Sequence, residues 1–228
     1  MIITPRHHGW LRVWDAPTRI FHWATVILIA AAWWTEKQRM LQAHRLIGYA
    51  LFSLVLFRFA WALIGSSTSR FSAILRNPAV VYNYARHELF RRDAEHHAGH
   101  NPVGGWSIGA MLLVLLAQIV SGLVAVDVDG LESGPLSYLV SFEIGRLASR
   151  LHAQTFDILL ALICLHVAAV AFHMLYKRDN LVMPMLSGLR RWESERPSLR
   201  FAPLSRALAA FIACALIVWV LVNVVGRV

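Results

Sequence analysis

The chain has few charged residues and little scope for cysteine chemistry. Of its 228 residues, 15% are charged and 57% are hydrophobic, whereas charged residues make up about a quarter of an ordinary soluble domain. The two cysteines, Cys164 and Cys214, both lie inside apolar runs, which argues against a disulfide framework or a metal–thiolate site. The CxxCH motif is absent, which excludes a c-type cytochrome. The composition therefore predicts that most of the chain lies in lipid.

Positive charge is in excess but is not concentrated on one surface. A net charge of +9 and a pI near 10.5 would suit a nucleic-acid-binding protein, yet the basic residues lie between long apolar runs. Membrane topology explains this distribution better, so we expect no nucleic-acid partner. No small-residue cleavage site follows the first apolar stretch, and we expect that segment to be retained.

Five apolar segments have the length of transmembrane helices, because a helix of about 20 residues crosses the roughly 30 Å of hydrocarbon in a bilayer. They are residues 17–35, 43–64, 106–126, 147–176 and 204–225. The first is short with tryptophans near both ends, which suits anchoring at the two interfaces. The fourth is long enough that it must tilt or protrude. The pattern predicts an all-α integral membrane protein, with a four-helix core in residues 1–190 and a connector and fifth helix in residues 191–228.

The distribution of lysine and arginine predicts the orientation, since short loops rich in these residues stay in the cytoplasm. Three basic regions can all lie on one side: the tail before the first segment, the loop after the second, and residues 177–206 after the fourth. The opposite side includes an acidic run of Asp127, Asp129, Glu132 and Glu143. We therefore expect a cytoplasmic N-terminus and, with five spans, an external C-terminus.

Histidines carry the chemical signal, because an ionisable residue inside a membrane span is costly and suggests a function. Five of the eleven histidines fall within the predicted helices: His22, His44, His152, His166 and His173. The other six lie in the basic cytoplasmic regions, where a solvated loop is a simpler interpretation than a metal site: His7, His8, His87, His96, His97 and His100.

The depth of each histidine follows from the direction of its helix. His22 lies about 8 Å from the cytoplasmic face, and His44 lies within about one turn of the outer face. His152 is also shallow on the outer side, while His166 lies roughly 21 Å deeper on the same face of the same helix, since fourteen residues make nearly four whole turns. Two levels result, with His44 beside His152 near the outer surface and His22 beside His166 near the inner one.

Each level offers one imidazole from each of two helices. A haem iron needs two axial ligands on opposite sides of a flat macrocycle, and facing helices supply that arrangement. Zinc would need three or four converging ligands, which neither level provides. The sequence thus predicts two non-covalent b-type haems. His173 is an alternative to His166, but it would stand about 31 Å from His152, at or beyond the membrane surface, so His166 is preferred.

Several other residues fit this hypothesis without requiring it. Arg19, Arg45 and Arg58 could each form a salt bridge with a haem propionate, and contact with lipid headgroups explains them equally well. Gly48 and Gly122 could let a macrocycle approach the backbone, although helix–helix contact is the commoner reason for such residues. For Asp157, we prefer a hydrogen bond to another helix over a proton route.

Four stretches together resemble the bacterial di-haem cytochrome b family, which includes the membrane cytochrome subunit of nickel–iron hydrogenases. They are VWDAPTRIFHW, HRLIGYALFSLVLFRFAW, GHNPVGGW, and LHAQTFDILLALICLHVAAV followed by RDNLVMPMLSG. The resemblance covers about residues 10 to 190. It implies a four-helix bundle in the bacterial inner membrane whose haem ligands are His22, His44, His152 and His166, with no ligand at His173.

Members of that family typically exchange electrons between a membrane quinone and a redox partner such as a periplasmic hydrogenase or c-type cytochrome. The leading hypothesis is therefore a di-haem subunit that carries electrons between such a partner and the quinone pool. One alternative is a self-sufficient oxidoreductase that acts on a small molecule, such as superoxide, at the outer haem. Another is a haem-free channel or transporter. The fifth helix lies outside the family pattern and could anchor a partner, promote oligomerisation or simply face lipid.

Overall fold

The structure, a computed structural model, describes residues 9–92, 98–128, 133–192 and 196–225. These residues are mostly helical, with two short strands. The elements are β1 (Gly9–Arg12), α1 (Ala16–Lys37), α2 (Leu41–Ile64), α3 (Phe71–Ile74), α4 (Pro78–His87), α5 (Pro102–Val124), α6 (Phe142–Leu175), α7 (Val182–Ser187), β2 (Leu189–Trp192) and α8 (Leu204–Val220), which continues as a π-helical turn (Leu221–Val225).

Four of these helices are long and apolar enough to cross a membrane: Leu41–Ile64, Pro102–Val124, Phe142–Leu175 and Leu204–Val225. The chain is therefore a multi-pass membrane protein. Helix α1 coincides with the first predicted span and has 22 residues, but it is less apolar, because it includes Arg19, His22 and three tryptophans. Its crossing of the membrane stays a prediction.

Helix starts follow from capping residues in the sequence. The carboxylate of Asp15 accepts the Thr18 backbone N–H at 2.8 Å at the start of α1. The side chain of Asn101 accepts the Gly104 N–H at 2.7 Å at the start of α5. A proline follows each cap within the first turn, where its missing N–H has no cost. These signals place α5 four residues earlier than hydropathy alone predicts.

The two strands correct the all-α expectation. β1 pairs antiparallel with β2, with Gly9 opposite Trp192 and Arg12 opposite Leu189. Gly188, with φ of 83°, then turns so that its carbonyl accepts the N–H groups of Val13 and Trp14. The sequence shows no signal for this pairing, because each strand has only four residues and its partner lies far along the chain. The ribbon ties the chain before α1 to the segment after α6.

The long helices pack as two pairs, α1 on α2 and α5 on α6, and α8 packs along α2. One apolar cluster joins α2 and α5, with Val55 and Ile119 at its centre and Val218 of α8 added at one side. A second cluster joins α8 directly to α2 through Ala207, Cys214, Phe57 and Trp61. Helix α8 is therefore part of the packed bundle rather than a separate lipid-facing addition.

A buried polar network holds the start of α1 against the end of α2. Asp15, which is 1% exposed, accepts the indole N–H of Trp61 at 3.0 Å, and Trp61 itself is fully buried. The hydroxyls of Thr18 and Ser69 lie 2.7 Å apart, and the guanidinium of Arg58 donates to the Ser69 carbonyl at 3.0 Å. This network fixes the end of the bundle at which His22 lies.

Candidate functional site

The structure brings the four intramembrane histidines together in two pairs. The rings of His44 on α2 and His152 on α6 have centroids 6.2 Å apart and are nearly perpendicular, at 79°. The rings of His22 on α1 and His166 on α6 have centroids 6.5 Å apart, at 53°. These are the pairs that depth predicts. We call them the outer pair and the inner pair.

The rings of each pair face each other across a gap between helices. Helix α6 packs along α5, and α1 packs along α2, but no comparable packing joins α6 to α1 or α2 within the described residues. Gly48, one turn from His44, adds open space, since a Cβ atom placed there would meet nothing within 4 Å. The bundle therefore leaves α6 separated from the α1–α2 pair where the histidines lie.

The distances within the pairs fit two imidazoles on opposite sides of one metal ion. Imidazole nitrogens bind metals at about 2 Å, and the ring centre lies about 1 Å further back, so two such rings have centroids about 6 Å apart. Both pairs match this value. A flat macrocycle bound between them would lie in the gap beside α6. The residues present therefore fit a bis-histidine haem at each level.

Backbone carbonyls orient the outer pair. Nδ1 of His44 donates to the carbonyl of Ala32 at 2.9 Å, and Nδ1 of His152 donates to the carbonyl of Gln118 at 2.8 Å. Because a carbonyl oxygen only accepts, both rings carry their proton on Nδ1 and keep the lone pair on Nε2. Metal-binding histidines commonly use this arrangement, which fixes the ring and raises its basicity.

Two residues of α5 determine where the His152 ring lies. A Cβ atom on Gly122 would come within 2.8 Å of its Cε1 atom, so only glycine leaves room for the imidazole in this position. The side-chain nitrogen of Gln118 lies 3.1 Å from Nε2, and its oxygen accepts the hydroxyl of Thr155. Gln118 must turn aside before Nε2 can bind a metal.

The predicted arginines occupy three different environments. Arg58 is 2% exposed, and its guanidinium lies 5.9 Å from the Phe21 ring, which favours an internal role over contact with lipid headgroups. Arg19 donates to the Leu186 carbonyl of α7, while its Nε atom is enclosed without a hydrogen-bond partner. Arg45 is exposed near the start of α2.

His173 belongs to a separate ionic cluster at the end of α6. Its Nδ1 lies 3.9 Å from Asp179, which accepts two hydrogen bonds of 2.7 Å from Arg190. Asp157 is exposed and makes no hydrogen bond to any described residue, so the preferred prediction of a bond to another helix is wrong within the described part. Asp129, Glu132, His7, His8, His96 and His97 lie outside the described residues.

His100 differs from the expectation of a solvated loop histidine. Its ring lies against Trp14, with centroids 4.6 Å apart, and its Nδ1 atom is enclosed without a hydrogen-bond partner. Burial, the Arg58 cation and the two inner histidines lower the pKa of His100 to about 3. His100 therefore lies close enough to sense the inner pair. Its position directly before the helix cap Asn101 is the signal that could have identified it, because such residues lie at the end of the bundle.

Within the described residues, no group of three or more histidine, cysteine, aspartate or glutamate side chains could hold a metal ion. A zinc-type site is therefore not among the arrangements that this part of the chain forms. What it does form is a helical membrane bundle with paired intramembrane histidines, and these features define the class of membrane cytochromes.

Residues 13–188 match the family of prokaryotic cytochrome b561, and the chain belongs to this family. It is a membrane b-type cytochrome that takes part in electron transfer and binds haem b. This result confirms the family resemblance and replaces the hypothesis of a haem-free channel or transporter. No curated protein matches the chain significantly.

Proposed function

We propose that the chain is a di-haem cytochrome that moves electrons between the two sides of the bacterial inner membrane. His44 and His152 would hold an outer haem, and His22 and His166 an inner one. The observation that supports this proposal is the pair of ring separations, 6.2 and 6.5 Å, across one continuous gap. The fourteen residues between His152 and His166 separate the two levels by roughly 21 Å.

Bound haem supplies a one-electron couple. The chain's own contribution is to occupy both axial positions, which leaves no open position at iron for oxygen, and to set the potential through ligation, burial and nearby charge. The carbonyls of Ala32 and Gln118 raise the basicity of the outer imidazoles through their Nδ1 protons, and a more basic ligand stabilises the ferric state. The inner pair has the buried Arg58 cation nearby, which favours the ferrous state.

The proposed partners follow from this arrangement and from the family. A periplasmic c-type cytochrome or hydrogenase-like protein would exchange electrons with the outer haem, and the quinone pool would complete the route. In this topology α1 crosses the membrane with the four more apolar helices, and the N-terminus lies in the cytoplasm. The aligned levels of His22 on α1 and His166 on α6 support the crossing of α1, since the helices must share a depth for the rings to meet.

Ligand substitutions test the pairing. His44→Ala and His152→Ala should each remove the outer haem and spare the inner one, while His22→Ala and His166→Ala should do the reverse, because a single imidazole holds a low-spin b haem poorly. The measurement is the pyridine haemochrome content of purified protein, with reduced-minus-oxidised spectra to identify which haem remains.

Two other histidines serve as controls. His173→Ala removes a buried histidine of the same helix, and His87→Ala removes an exposed one of α4; both variants should keep two haems. The pairing is wrong if His44→Ala and His152→Ala affect different haems, or if His173→Ala loses the inner haem and His166→Ala keeps it.

A further inference from the structure

The inner pair differs from the outer pair in its surrounding polar atoms. Six enclosed side-chain polar atoms in the described part of the chain lack a hydrogen-bond partner: Arg19 Nε, His22 Nδ1, Thr25 Oγ1, Thr68 Oγ1, His100 Nδ1 and His173 Nδ1. The first five lie around the inner pair or at the end of the bundle next to it. At the outer pair, both Nδ1 atoms have carbonyl partners. Unpaired buried donors cost free energy, so the inner end lacks an acceptor group.

Thr68 and His100 form the most compact part of this set. Thr68, which is 5% exposed, lies in the turn after α2. The side chain of Thr68 and the ring of Trp14 both approach Gly99, at 3.8 Å from a Cβ atom placed there, and the Trp14 ring stacks against His100. One aromatic ring therefore holds the hydroxyl and the imidazole near each other.

A cavity of about 400 Å³ adjoins both side chains. Its wall includes Ser67, Thr68, Arg76, Gly99, His100 and Ser198. The volume is sufficient for a short flexible arm together with several water molecules, each of which occupies about 30 Å³ in the liquid. The wall contains an arginine and hydroxyl groups and no described acidic side chain, so it suits an anionic acceptor.

The missing acceptor has a source in the cofactor of the inner pair. The only anionic groups of haem b are its two propionate carboxylates, and each carboxylate accepts up to four hydrogen bonds. The low pKa of His100 makes its ring neutral near pH 7, so it has one N–H to donate, and Nδ1 can carry it. Thr68 supplies a second, neutral donor.

We propose that Thr68 and His100 bind a propionate carboxylate of the inner haem, through the Thr68 hydroxyl and the His100 Nδ1–H. This inference rests on the proposed function, because it requires a haem at the inner pair. Both residues act as positioning residues, since they would contact the edge of the cofactor and not its iron. Removing a donor concentrates negative charge on the carboxylate, which stabilises ferric iron and lowers the reduction potential of the inner haem.

The test is a spectroelectrochemical titration of the purified holoprotein and four variants. Thr68→Val deletes the hydroxyl at constant shape, and His100→Leu deletes the donor. His100→Gln retains an N–H, and Ser198→Ala changes the same cavity wall without touching an unpaired donor. Resonance Raman spectra in the region of the propionate bending modes provide a readout that does not depend on potential.

Thr68→Val and His100→Leu should each lower the inner-haem redox equilibrium constant by up to tenfold, which is 59 mV for one electron. Both should shift the propionate band, while His100→Gln and Ser198→Ala should leave it near the wild-type position and the outer haem should not respond. An unchanged inner potential and band in Thr68→Val and His100→Leu, with both haems present, would overturn the inference alone. If His100→Leu fails to fold, Thr68→Val decides the result. A wild-type protein without an inner haem overturns the proposed function as well.

Discussion

At the residue scale, single atoms of α5 determine whether His152 can act as a ligand. Its Nδ1 donates to the Gln118 carbonyl, and the absence of a side chain at Gly122 leaves the ring its place. The sequence shows Gly122 as a small residue suited to close approach but does not reveal which group approaches it. The structure identifies that group as the His152 imidazole, so the glycine shapes the histidine directly.

Gly122→Ala should therefore weaken binding of the outer haem by about tenfold or more, the usual effect of disturbing the residues that support a metal ligand. The new Cβ atom would come within 2.8 Å of Cε1 and displace the ring. Haem content and reduced-minus-oxidised spectra measure the loss. The control is Gly109→Ala in the same helix, where the neighbour is the flexible end of Leu75 at 3.0 Å. Equal haem content in both variants would show that Gly122 does not position His152.

At the element scale, the start of α1 depends on a residue that is both a helix cap and a buried acceptor. Asp15 caps α1 through the Thr18 N–H and accepts the indole N–H of Trp61 on α2. Its carboxylate also lies near the buried Arg58 guanidinium, whose positive charge it offsets. One side chain thereby sets the entry of α1, its contact with α2 and the level of His22.

Asp15→Ala should destabilise the protein by about 2–4 kcal/mol, because it removes a cap worth about 1 kcal/mol and leaves the Trp61 N–H and the Arg58 charge without their acceptor. The measurement is the thermal midpoint in detergent. Asn77→Ala provides the comparison, since Asn77 caps α4 through the Ala79 N–H at an exposed site and should cost only about 1 kcal/mol. Similar midpoints for the two variants would show that the buried network adds nothing beyond the cap.

The elements differ in how far the sequence predicts them. The long helices are predictable because apolar runs in lipid must form their hydrogen bonds internally, and the bounds of α1 and α2 agree within two residues. The histidine pairs are predictable because helical rise and rotation convert residue numbers into depth and face. Their distance and ring angles are not, since these depend on how α6 stands away from α1 and α2.

Three features had no usable sequence signal for physical reasons. The β1–β2 ribbon joins segments far apart in the chain, and four-residue strands have too few positions for a pattern. The burial of Asp15 and Arg58 depends on which loops cover them. The packing of Cys214 and Ala207 against Phe57 and Trp61 could not be told from an ordinary lipid-facing helix, because membrane helices are apolar on every side.

At the scale of the whole molecule, one long helix links both sides of the membrane. Helix α6 has 34 residues and carries one histidine of each pair, so the two levels have a fixed spacing and a common face. Helices α1 and α2 supply the opposing histidines from the other side of the gap. The arrangement provides a route for electrons along the membrane normal, with the two ends distinguished by their polar surroundings.

The haem content of the purified chain tests this account most directly. Wild-type protein should contain two b-type haems per chain by pyridine haemochrome assay, and the oxidised protein should give two low-spin ferric signals in electron paramagnetic resonance. A single haem per chain would contradict the two-level arrangement. A high-spin signal from either haem would contradict bis-histidine ligation at that level.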